Sequence, residues 1–162
     1  MVSEKVQRAL NDQLAREMYS GYLYLAMSAW FESVNLPGCA HWMRVQAREE
    51  EAHGMRFYSH VVDRLGRVTL QAIQCPPAQW DSPLAAFDAA FEHEQAVTGH
   101  INDLLALARA EDDNATAAFL QWFVTEQVEE EAQADKIVQQ LRMTGDAQAP
   151  LLMLDATLAK RE

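Results

Sequence analysis

Apolar residues recur along this chain at spacings of three and four, the period of an amphipathic helix. One such run extends from about Glu4 to Glu32, with Ser3 placed as its N-cap, and is broken by Asn35-Leu36-Pro37-Gly38. A second runs from about Gly38 to Leu65 and stops at Gly66, a C-terminal glycine signal. No period is clear from Gly66 to Asp81, a stretch that includes Cys75-Pro76-Pro77. A third helix opens with Ser82 as N-cap and Pro83 in its first turn, and ends near Glu111. Asp112-Asp113-Asn114 caps a fourth, which runs to about Thr144 and stops at Gly145. Pro150 opens a short fifth helix over about Leu151 to Lys160.

The connections predict how these helices pack. The first and third are short, so each joins antiparallel neighbours. The middle one is about 16 residues long and spans about 50 Å when extended. That exceeds the ~42 Å length of a 28-residue helix. The chain is therefore predicted to be all-α, a four-helix bundle with one long crossover that makes the second and third helices parallel.

Each apolar stripe is interrupted near its middle. Leu10, Leu14, Glu17, Gly21, Tyr24, Ser28 and Phe31 form the first stripe. The third is Phe87, Ala90, Glu94, Val97, Ile101, Leu104 and Ala108. The fourth is Leu120, Phe123, Gln127, Glu130, Ala134, Ile137 and Leu141. On the more polar second helix, Met43, Glu50, His53 and Phe57 share a face. Glu50 and His53 are three apart, as are Gln127 and Glu130, so each pair points at one spot. Helix midpoints coincide in height whatever the helix direction, so these polar groups are expected to converge.

A second regularity supports convergence. Glu17 to Glu50 and Glu94 to Gln127 are each 33 residues apart. Adding 77 to Glu17, Glu49, Glu50 and His53 lands on Glu94, Glu126, Gln127 and Glu130. Two related half-sites facing each other make a binuclear site. Four buried carboxylates with no nearby Lys or Arg would carry a desolvation cost of several kcal/mol each. Raised pKa values are one remedy. Two divalent cations are another, and they balance the charge. Carboxylates with one imidazole suit iron or manganese; zinc also binds such donors but has no redox chemistry to offer there.

Composition narrows the partners. The formal net charge is −11, which disfavours nucleic acid and favours cations. No run of about 18 apolar residues exists to span a membrane. The N-terminus lacks the apolar run of a secretory signal. Two cysteines, Cys39 and Cys75, are too few for a disulfide framework. The expected location is cytoplasmic, with reduced thiols.

The arrangement Glu17…Glu50-x-x-His53…Glu94…Gln127-x-x-Glu130, on a bundle with one long crossover, resembles the ferritin family, and within it the bacterial non-haem ferritins. The resemblance covers essentially the whole chain and implies a single ferritin-like di-iron domain over residues 1–162. It implies one iron among Glu17, Glu50 and His53 and another among Glu50, Glu94 and Glu130, with Glu50 bridging. It also implies Gln127 beside the site, Tyr24 next to the di-iron centre, and a third iron site at Glu49, Glu126 and Glu129 with Glu130. On spacing alone, Glu49, Glu126 and Glu129 also read as solvated charges, and Tyr24 as plain core.

The implied activity is that of a ferroxidase. Iron(II) is oxidised by dioxygen or peroxide, and iron(III) mineral is stored inside a homo-oligomeric cage. The family's cages have 24 subunits, with the short helix near the four-fold axes. The competing reading is a non-storage di-iron peroxidase or oxidase. Bacterioferritins place a haem-ligating Met directly after the Glu of the first Glu-x-x-His; Glu51 stands there, so haem is not expected. His41, His60, His93 and His100 are expected at the surface or supporting the site, and Trp122 is given no role.

Overall fold

The computed structural model describes residues 1–162 and contains five helices and no strand. They are α1 (Glu4–Ser33), α2 (Pro37–Asp63), α3 (Pro83–Ala110), α4 (Asn114–Thr144) and α5 (Gln148–Leu158). The expected all-α bundle with a short fifth helix is what forms. None of the helices is long and apolar enough to cross a membrane.

The predicted start signals operate as hydrogen bonds. Ser3 Oγ accepts from the Val6 N–H at 3.3 Å, and Ser82 Oγ from the Ala85 N–H at 3.0 Å. Within the Asp112-Asp113-Asn114 run it is Asp113 that caps α4, accepting from the Thr116 N–H at 3.1 Å. Pro150 lies in the first turn of α5, which begins at Gln148, three residues before the predicted Leu151.

The helix ends hold a correction. Gly66 was expected to terminate α2 through its conformational freedom, yet the left-handed residue is Leu65, with φ 57°. Asn35 (φ 60°) and Asp112 (φ 53°) do the same after α1 and α3. In all three the next N–H reaches back to close the helix: Leu36 to Phe31 O at 3.0 Å, Gly66 to Val61 O at 2.9 Å, and Asp113 to Ala108 O at 2.8 Å. The closing bond offsets the ~1 kcal/mol that a side chain costs in this conformation. Gly66 is needed for space instead. A Cβ there would lie 2.8 Å from Gln7 Oε1 and 2.9 Å from Val2 Cγ1.

The crossover is pinned to α1 along its length. Gln7 Oε1 accepts from the Arg67 N–H at 2.8 Å, Asn11 Oδ1 from the Thr69 N–H at 2.9 Å, and Asp12 Oδ1 from Gln71 Nε2 at 2.6 Å. Alternate residues 67, 69 and 71 face α1, the period of extended chain. At the far end Trp80 packs edge-on to Trp30, ring centroids 5.8 Å apart. The strap thus returns the chain to its starting end.

The parallel pair follows. Trp42 near the start of α2 meets Phe87 near the start of α3, with centroids 5.4 Å apart. The core has two parts. One gathers Val6, Leu10, Phe57, Ile101, Leu120 and Phe123. The other gathers Phe31, Met43, Phe87, Ile137, Leu154 and Leu158. Between them lies a layer of buried polar side chains.

Candidate metal centre

The polar layer is built from helix midpoints. Glu17 on α1, Glu50 and His53 on α2, Glu94 on α3 and Glu130 on α4 are all at most 5% exposed. One ligand atom from each of Glu17, Glu50 and His53 lies within 4.8 Å of the others. Glu50, Glu94 and Glu130 form a second such set, and Glu50 is common to both. The donor set therefore fits two adjacent cations with a shared carboxylate: three donors on one side, one a nitrogen, and three oxygen donors on the other.

Glutamine amides hold these carboxylates in place. Gln13 Nε2 donates to Glu17 Oε1 at 2.7 Å. Gln46 Nε2 donates to Glu50 Oε1 at 2.9 Å and to Glu130 Oε2 at 2.7 Å, so its two hydrogens tie two ligand candidates together. Gln127 Nε2 donates to Glu94 Oε2 at 3.1 Å and to the Glu94 carbonyl at 3.2 Å. Tyr24 OH donates to Glu94 Oε1. Gln46 Oε1, fully buried, has no hydrogen-bond partner. A buried carbonyl oxygen without a donor costs about 1–3 kcal/mol.

The electrostatics are those of anions crowded out of water. Burial, then the charge of Glu50, raises Glu17 well above the usual carboxylate range. Burial, with Glu50 and Glu130, raises Glu94 to about 8. Burial, with Glu50, raises Glu130 to about 7. Burial pulls His53 down, but the Glu50 hydrogen bond and charge, with Glu17 and Glu130, win and lift it to about 9. Tyr24 is raised well above its ordinary value by burial and then by Glu94. Every shift is one that bound cations would reverse or exploit.

The remaining predicted residues divide. Glu126 approaches His53, with Oε1 3.9 Å from Nε2, and joins a third set with His53 and Glu130. Glu49 is half-buried beside Glu50 but is ion-paired with Arg161 of the C-terminal tail. Glu129 is exposed and belongs to none of the three sets. The structure thus brings Glu126 and Glu130 together with His53, and leaves Glu129 outside.

Several neighbours were not anticipated. Gln13 and Gln46 each stand four residues before a ligand candidate, Glu17 and Glu50. That i, i+4 repeat was a usable signal. The 77-residue shift hides it, because it carries Gln13 and Gln46 onto Ala90 and Phe123. Trp122, given no role, packs edge-on to His53 with centroids 5.4 Å apart, under the Arg56 guanidinium at 3.6 Å. His93 lies behind the site, its Nε2 2.7 Å from Ser20 Oγ and its ring edge-on to Tyr24.

Comparison with known proteins agrees with the fold. The family model described as the ferritin-like domain matches residues 7–144. A bacterial non-heme ferritin of Bacteroides fragilis is 42% identical over 99% of this chain and 100% of its own. One from Staphylococcus aureus is 34% identical over 99% of this chain and 97% of its own. Among solved structures, the open-pore ferritin of the archaeon Archaeoglobus fulgidus superimposes with a TM-score of 0.99 at 50% identity, covering 100% of both chains.

Proposed function

The chain belongs to the ferritin family, and on that footing we propose that it is an iron-storage subunit with a ferroxidase site in its own bundle. The observation that carries the reading is the shared carboxylate. Glu50 belongs to both three-donor sets, so two iron(II) ions would sit close enough to be oxidised as a pair. Glu17, Glu50 and His53 would hold one iron, and Glu50, Glu94 and Glu130 the other.

Each iron(II) gives up one electron. The pair of electrons reduces dioxygen to peroxide, or peroxide to water, with protons taken from the medium. The protein's part is to hold both ions in one dry layer and to orient their ligands. Gln13, Gln46 and Gln127 fix the carboxylates through neutral donors, which add no competing charge. Tyr24, through its hydroxyl on Glu94, sits where it can supply a proton or an electron to the site. Iron(III) held by carboxylates with a single histidine is passed on more readily than iron fixed by several imidazoles. Glu126, Glu49 and Glu129 are proposed as the side through which iron moves toward the mineral.

Storage needs a container, and a bundle with a packed core has none. Exposed Tyr22, Leu25 and Ile73 line one outer groove with Met18, an apolar face that supports association between copies. A homo-oligomeric cage, of 24 subunits as in the family, is proposed. The thiols of Cys39 and Cys75 are unpaired, which supports a cytoplasmic location.

Glu130→Ala tests the assignment. Anaerobic iron(II) mixed with air-saturated buffer in a stopped-flow instrument should oxidise about ten- to a hundredfold more slowly. An unchanged rate, with two irons still bound per chain, would remove Glu130 from the scheme. Size-exclusion chromatography after iron loading separates storage from the di-iron oxidase alternative. A large assembly carrying far more than two irons per chain is expected, and a small oligomer carrying two would decide for a catalyst.

A further inference from the structure

Beyond α5, the tail turns back onto α2 and delivers one side chain to the edge of the polar layer. Arg161 is held from four directions. Its guanidinium carbon lies 4.3 Å from the centre of the Trp42 ring. Nη1 donates to the Trp42 carbonyl at 3.3 Å. Nη2 is ion-paired with Glu49. The Arg161 carbonyl meets His41 Nε2 at 2.8 Å. The side chain is only 14% exposed, so this is a seated guanidinium and not a surface arginine passing by.

Its position is what makes it informative. Glu49 directly precedes Glu50 and belongs to none of the three donor sets, but the charges of His53 and Glu126 act on it, so it flanks the set formed by His53, Glu126 and Glu130. Burial raises Glu49, Arg161 and then His53 pull it down, and Glu50 and Glu126 add smaller upward pushes. Arg161 therefore neutralises Glu49, a half-buried carboxylate flanking a corner that otherwise collects anions.

We infer that Arg161 is an internal competitor cation, seated on Glu49, which a metal ion must displace to use that carboxylate. The inference rests on the proposed reading that metal moves through this corner. A guanidinium and a divalent cation cannot both sit on Glu49 without like-charge repulsion, so binding is an exchange. The Glu49–Arg161 pair breaks, a Glu49–metal contact forms, and the guanidinium returns to water. The exchange lowers the affinity of the corner without altering the two buried sets. An ion is then held briefly there, which suits transfer over retention. It also couples metal occupancy to the tail, because Arg161 anchors the chain end against Trp42 and His41. Arg161 touches neither buried set, so it is a positioning residue and not a catalytic one.

Zinc, which does not change oxidation state, is the probe. Calorimetric titration of the assembled wild-type protein should resolve two tight equivalents per chain and a weaker third. In Arg161→Ala the third should tighten about tenfold, a change of about 1.4 kcal/mol, with the first two unmoved. Arg161→Lys keeps the charge but loses the planar fork, and should fall between them. In zinc-soaked wild-type crystals the guanidinium should have left Glu49. Equal third-site affinity in the wild type and both variants would overturn the inference, as would zinc on Glu49 with Arg161 still paired. Absence of the two tight equivalents from the wild type would instead sink the di-metal reading, and this inference with it.

Discussion

At the scale of single residues, the chemistry is set by protons that a metal must displace. Glu94 at about 8 and Glu130 at about 7 are both partly protonated near neutrality, and His53 at about 9 is cationic there. Ligation needs carboxylates and a neutral imidazole. Zinc uptake near pH 7 should therefore release protons, and the number should fall as the pH rises through about 9. Calorimetry in two buffers of different ionisation enthalpy reads this directly; heat independent of buffer near pH 7 would contradict the assignment. The four carboxylates were legible in the sequence because each interrupts its own apolar stripe. Gln46, equally buried, interrupts no stripe on the more polar second helix, and only its place four residues before Glu50 marks it.

At the scale of elements, α5 serves as the missing cap of α2. Leu36 precedes α2 and offers no side-chain acceptor, and Pro37 has no N–H to satisfy. Asp155, buried on α5, accepts the Cys39 N–H at 2.8 Å instead. The approach is close enough that a Cβ on Gly38 would lie 1.8 Å from the Asp155 carbonyl oxygen. Burial and the neighbouring Asp155 push the Cys39 thiol far above its ordinary value, so it stays a buried thiol. Asp155→Ala should cost about 1–2 kcal/mol in denaturant titration. Gly38→Ala should do more, undocking α5. Hydrogen exchange should then show α5 amides losing protection while the midpoints of α1–α4 keep theirs. Retained protection of α5 in Gly38→Ala would show that the close approach does not matter.

At the scale of the whole molecule, the carboxylate layer divides the core and leaves bundle stability dependent on charge. Glu94 and Glu130 have folded values above the ordinary 4.5, Glu17 is raised likewise, and His53 is raised above 6.5. A group raised in the folded state contributes most below its unfolded pKa, and that contribution is lost as pH climbs through the folded one. All four act in the same direction. With a chelator present, the thermal midpoint should fall as pH rises from about 5 to about 9. A saturating divalent cation should flatten the fall and raise the midpoint, because it binds the folded chain alone. Scanning calorimetry across that range checks both; a chelated midpoint that does not move with pH would contradict the picture.

Much of this was written in the chain itself. Helical period is local, so the start signals at Ser3 and Ser82 and the apolar stripes could be read along one dimension. Because helix midpoints must meet, the depth at which Glu17, Glu50, Glu94 and Glu130 gather could be read there too. Docking decided the rest. Leu65 and not Gly66 takes the left-handed turn, and Gly66 stands where a Cβ would meet Gln7 and Val2. Asp155 caps α2 from 116 residues away, and Arg161 reaches Glu49 from 112. Such pairs leave no periodic trace, since their partners are set by how the finished helices and the tail lie against one another.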